Sequence, residues 1–178
     1  MVNWKIGENS DPTLDKAESG GETLNIVLVE PEIPPNTGNI ARLCAAIDAR
    51  LHLVGELGFK LTDRYLKRAG LDYWQFVKVI RHESVDAFFE SVPLGRLFLF
   101  SKKGTRSYAQ ETYRAADYLV FGSETRGLPA RILDKYPDRI VVIPILSERV
   151  RSLNLSSAAA VAAYEALRQM GFEHLRPG

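Results

Sequence analysis

The chain has 178 residues, 46% of them hydrophobic and 25% charged. That length and balance fit one globular core and exclude fibrous or low-complexity classes. A single cysteine, Cys44, rules out an intrachain disulfide framework. The three histidines, His52, His82 and His174, have no neighbour at metal-ligand spacing, so no metal is expected.

Residues 1–23 hold five acids and two bases, which leaves 21 bases against 17 acids in the remainder. This opening stretch is polar, ends at Ser19-Gly20-Gly21 and contains no apolar run suited to a signal-peptide core. No later run approaches the length of a membrane span. The reading is a disordered tail over 1–23, a single domain over 24–178 and a cytoplasmic location.

Leu24–Val29 is a near-continuous apolar run, the pattern of a strand buried on both faces. Similar runs follow at Leu51–Val54, Val77–Ile80, Leu97–Phe100, Tyr118–Phe121 and Ile140–Ile143. Helical patterns lie between or after them, over 36–48, 63–69, 83–91, 129–135 and 153–170. This alternation predicts an α/β fold, a mostly parallel sheet flanked by helices.

Pro34-Pro35 ends the first run, and Asn36 is expected to cap the first helix. Ile40, Leu43, Cys44 and Ile47 follow at the spacing of a buried helix face, which makes Cys44 a small core residue. Arg42 points away from that face and shares its side with Gly38 and Asn39. It is a candidate anion or substrate contact. In the last helix Ala160, Val161, Tyr164, Leu167 and Met170 form an apolar stripe, with Ala158, Ala159, Ala162 and Ala163 alongside. Such small residues permit close packing against another element or subunit.

Open α/β sheets bind ligands beyond the carboxyl ends of their strands. Three such ends are rich in turn and polar residues: Pro31–Asn39, Gly122–Pro129 and Pro144–Asn154. Gly122 is expected to let a ligand approach the backbone, and Gly127 to supply a positive-φ turn. Glu124 and Arg126 have no evident structural duty there. Ser152, Asn154 and Ser156 are candidate caps for the last helix. Basic residues cluster as Arg64, Lys67 and Arg68, as Lys102, Lys103 and Arg106, and as Arg149 and Arg151, any of which could meet phosphates. No G-x-G-x-x-G follows a strand and no G-x-x-x-x-G-K-[ST] or G-x-S-x-G occurs, which disfavours a dinucleotide-dependent dehydrogenase, a P-loop ATPase and a Ser hydrolase.

Taken together, Glu30–Cys44, Phe121–Pro129 and Arg151–Ser156 resemble the three ordered motifs of the SPOUT superfamily of RNA methyltransferases. The resemblance spans Leu24 to Phe172. It is nearest to the small single-domain tRNA (cytidine/uridine) 2′-O-methyltransferases of the anticodon wobble position. It implies a C-terminal trefoil knot, an exception to unknotted topology, together with S-adenosylmethionine as methyl donor, tRNA as substrate and a homodimer. Phe100, Gly122, Ile143, Ser152 and Leu153 are the implied cofactor contacts. Arg42, Asn36, Glu124 and Asn154 are implied near the reacting centre, with Lys102, Lys103, Arg106, Arg64, Lys67 and Arg68 as candidates for the anticodon loop. Two alternatives stay open: methylation at another tRNA or rRNA site, and a non-catalytic RNA-binding or assembly protein with the same fold.

Overall fold

The computed structural model of the chain describes residues 23–60, 74 and 76–172. Among the described residues seven strands form one sheet: β1 (Asn25–Val29), β2 (Arg50–Val54), β3 (Val79–His82), β4 (Leu97–Phe100), β5 (Arg106–Ser107), β6 (Tyr118–Phe121) and β7 (Ile140–Val142). Their order is β3-β2-β1-β6-β4-β7-β5, and every pairing is parallel. Helices α1 (Pro34–Ile47) and α4 (Leu155–Gln169) cover one face, and α2 (Val85–Ser91) and α3 (Ala130–Lys135) the other. Successive β1 residues alternate between the two cores: Ile26 and Leu28 face α1 and α4, while Val27 and Val29 face α2 and α3. Both faces are thus dry, which explains apolar runs in place of strict alternation.

Several sequence expectations shift. The third strand lies two residues later than its apolar run because polar groups complete it: Arg81 donates to the carbonyls of Leu53 (2.9 Å) and Gly55, and His82 stacks on His52. The two-residue β5 has no apolar signature. Helix α1 begins at Pro34, so Asn36 is not its cap; Ile33 holds that position without a side-chain bond. Pro34 and Pro35 preset helical φ and have no N–H to be capped, which frees Asn36 for another use. Cys44 is fully buried, and desolvation pushes its thiol up to about 12. Arg42 and Asn39 are exposed as expected, whereas Gly38 is buried.

The apolar stripe of the last helix is also corrected. Ala159, Ala162, Ala163, Ala166 and Leu167 face inward, while Val161 and Tyr164 face solvent. Alanines allow α4 to lie close to α1 and β6, where larger side chains would force the layers apart. Asn154 caps α4 by accepting from Ser156 N–H at 2.9 Å. Thr23, placed with the tail by composition, is tied to the domain: its carbonyl accepts from Ala116 N–H at 3.1 Å. The predicted helix over 63–69 lies outside the described residues. No helix among the described residues is long and apolar enough to cross a membrane.

On the α2 face a buried polar chain crosses three strands. Asn25 Nδ2 donates to the carbonyl of Ala116 (3.2 Å), so its Oδ1 is the atom facing His52 Nε2 at 3.1 Å. His52 therefore carries its proton on Nε2, and its Nδ1 accepts from His82 Nε2 at 2.9 Å. Burial, reinforced by His82, Arg50 and Lys78, lowers His52 to about 3; burial and Arg81 also lower His82. Unfolding releases both imidazoles to their ordinary range, so the unfolded chain binds more protons below about pH 6.5. Stability should fall as pH drops from about 7 to about 5, with a slope approaching about 1.4 kcal/mol per pH unit from His52 and a contribution of the same sign from His82. Urea unfolding at several pH values checks this: His52→Gln should flatten the slope, and equal slopes in both proteins would contradict the assignment.

Candidate active site

The carboxyl ends of β1, β6, β4 and β7 open into a cavity of about 870 Å³. In this strand order β2 and β3 lie on one side of β1, and the strands that follow them in the chain lie on the other; ligands settle at such a switch point. Phe100 and Phe121, directly paired across β4 and β6, stack at 4.6 Å between ring centroids and line the cavity.

Three segments close around this floor and share one chain of hydrogen bonds. Glu124 Oε1 accepts from the Asn36 amide at 3.0 Å and from Ile33 N–H at 3.2 Å, and its Oε2 accepts from Glu32 N–H at 2.8 Å. Asn36 Oδ1 then accepts from Asn154 Nδ2 at 3.0 Å. Asn154 Oδ1 in turn accepts from both the N–H and the hydroxyl of Ser156, at 2.9 and 2.7 Å. A carboxylate beside the first N–H groups of α1 also meets the positive end of that helix. Glu124 thus accepts, from across the cavity, the backbone N–H groups of the two residues that precede α1.

The loop between β6 and α3 is compact. Gly127 N–H donates to the Ser123 carbonyl at 2.9 Å, and Gly127 adopts φ 70° as its glycine predicts. Gly122 also serves the loop itself: a Cβ there would fall 2.0 Å from the carbonyl carbon of Gly127. Arg126 also has a structural duty that the sequence did not show. Its Nε lies 3.2 Å from Glu32 Oε1, and its guanidinium reaches Glu30 at 3.9 Å. The Thr125 hydroxyl donates to Glu32 Oε2 at 2.5 Å. That hydroxyl and the Arg126 guanidinium hold the Glu32 carboxyl below the usual carboxylate range.

All five residues singled out for a cofactor, Phe100, Gly122, Ile143, Ser152 and Leu153, line the cavity. So do Asn36, Glu124 and Asn154. Arg42 stands on the exposed side of α1, outside the lining. Lys102 and Lys103 line the cavity together with Arg151. Arg106 does not; it pairs with Glu111 at 3.1 Å and donates to the Asp138 carbonyl. Arg64, Lys67 and Arg68 lie outside the described residues. Sequence reasoning missed Glu32 and Thr125, whose partners lie more than 90 positions away along the chain. Among the described residues no group of three or more His, Cys, Asp or Glu side chains could hold a metal ion.

Comparison with known proteins places this geometry. Residues 23–164 match the SpoU rRNA Methylase family. The chain is 52% identical over 150 residues to the tRNA (cytidine(34)-2′-O)-methyltransferase of Escherichia coli (strain K12), covering 84% of this chain and 95% of that protein. A solved structure described as "Structural insights into the 2-OH methylation of C/U34 on tRNA" superposes with TM-score 0.80 at 48% identity, covering 86% of this chain and all of that one. The SpoU methyltransferase AviRb of Streptomyces viridochromogenes, solved with AdoMet, shares the fold with TM-score 0.74 at 24% identity, over 93% of this chain and 64% of its own. With its all-parallel sheet, its cavity at the strand ends and these relatives, the chain belongs to the SpoU rRNA methylase family.

Proposed function

We propose that this chain transfers a methyl group from S-adenosylmethionine to the ribose 2′-oxygen of the anticodon wobble nucleotide of tRNA. The observation that carries this reading is the 52% identity to a tRNA (cytidine(34)-2′-O)-methyltransferase over 95% of that enzyme's length. Likeness on that scale concerns a whole catalytic domain, not a shared module.

The residues present suit the donor. A cavity of about 870 Å³ has room for a nucleoside with an amino-acid arm. Phe100, Ile143 and Leu153 offer apolar surface for the faces of adenine, while the backbone at Gly122 and Ser152 offers polar groups for its edges. When bound, S-adenosylmethionine supplies an electrophilic methyl carried on a sulfonium. The protein's task is then to hold the 2′-oxygen in line with that methyl and to let its proton leave.

In this reading Asn36 and Asn154 fix the wall against which the ribose is oriented. Glu124 commits its oxygens to three donors, leaving about one of its four lone-pair directions open. Its role is to hold the assembly together, and the hydroxyl proton passes to water or to the neighbouring phosphate. A guanidinium stays protonated at physiological pH, so Arg42 is assigned to the phosphate beside the target ribose. Its position outside the cavity suits a backbone contact. That Lys102, Lys103 and Arg151 line the cavity supports a role for them with further phosphates of a splayed anticodon loop; Arg106 is assigned to the same RNA, as are Arg64, Lys67 and Arg68 from outside the described residues.

The same reading takes 24–178 as one methyltransferase domain behind a polar tail, with the C-terminal trefoil knot of the superfamily, working in the cytoplasm as a homodimer. Val161 and Tyr164, exposed on α4, supply apolar surface for that association.

Incubation with labelled S-adenosylmethionine and total tRNA, followed by nuclease mapping, should place the label on the wobble ribose. Label on another nucleotide, or on ribosomal RNA alone, would contradict the proposal. Arg42→Lys should raise KM for tRNA about tenfold, equivalent to about 1.4 kcal/mol, while keeping kcat within about threefold. Loss of turnover with unchanged tRNA affinity would reverse the assignment of Arg42.

A further inference from the structure

The loops after β1 and β6 are joined twice, in opposite directions. Glu124 reaches from the β6 loop to the backbone of Glu32 and Ile33. Glu32 reaches back to the Thr125 hydroxyl and the Arg126 guanidinium. We propose that Glu32 is a positioning residue for the donor: by clasping Thr125 and Arg126 it fixes the 122–128 loop as one wall of the cavity, an assignment that rests on the methyltransferase reading.

The argument is mechanical. Glu32 is anchored from behind. Glu30 turns with φ 50° and donates its N–H to the Val54 carbonyl at 2.8 Å; Gly58 N–H donates to the Pro31 carbonyl at 3.0 Å. A Cβ on Gly58 would lie 2.9 Å from the Glu32 Cα, so the backbone of Glu32 is pressed against the loop that follows β2. The anchored carboxylate then faces a loop whose residues 122–128 all line the cavity. Two acceptor oxygens match the hydroxyl and the guanidinium, and no neutral side chain of that size accepts from both at equal strength.

Position also separates this role from global stability. The Arg126 side chain is 70% exposed and that of Glu32 24%. Ion pairs so open to water contribute little to folding. Cutting the clasp should therefore loosen the loop and leave the domain folded.

Glu32→Ala, Arg126→Ala and the double variant test this against wild type, each with its melting temperature measured. Amide hydrogen exchange at Arg126 and Gly127 should accelerate about tenfold in either single variant, and affinity for S-adenosylmethionine in calorimetry should fall about tenfold. The double variant should be no worse than the singles, because both cut one clasp. Unchanged exchange with unchanged affinity, or penalties that add, would overturn the role. Wild-type protein that binds no S-adenosylmethionine would overturn the methyltransferase reading and this role with it. Fast exchange persisting in the variants would then show that the donor assignment, and not the clasp, had failed.

Discussion

Glu124 sits where three stretches of chain meet, and its carboxylate decides how they meet. Three donors from the β1–α1 segment converge on its two oxygens, and one of them, Asn36, passes the connection to Asn154 at the cap of α4. Asn36 is buried, and a buried amide left unpaired costs on the order of 1–3 kcal/mol. Keeping that chain of bonds satisfied draws the β6 loop, the start of α1 and the start of α4 around a common space.

The sheet supplies the stage for that convergence. The seven strands of the described residues are parallel and end on the same side, with β2 and β3 on one flank of β1 and the other four on its other flank. The cavity floor is apolar, through Phe100 and Phe121, and its walls are polar, through Asn36, Glu124 and Asn154. Such a division suits a ligand with an aromatic base at one end and a reacting polar centre at the other. The opposite sheet face carries its own polar chain, Asn25–His52–His82, which ties β1, β2 and β3 together well away from the cavity lining.

Much of this fold was legible in the sequence, for a physical reason. Parallel strands covered on both faces must be apolar throughout, so β1, β4 and β6 announce themselves as runs. The stripe Ile40, Cys44 and Ile47 marks α1 in the same local way. What failed was whatever depended on distant partners. Asn36 resembled a cap because caps are local; its actual partners lie 88 and 118 positions away. Arg126 was read without the segment that opposes it. The face of α4 was assigned by hydrophobicity, whereas the spacing between layers selected the alanines and turned Val161 and Tyr164 outward. The motif resemblance gathered the three segments before any geometry was known, but it did not reveal that an asparagine joins them.

The central claim is that these three segments form one donor pocket. The most direct measurement is a titration of isotope-labelled protein with S-adenosylmethionine, followed by backbone amide shifts. The account predicts saturable changes concentrated at Gly122–Leu128, around Ile143 and at Ser152–Asn154, with the far sheet edge at β3 unmoved. Changes scattered over the surface, or none at all, would contradict it.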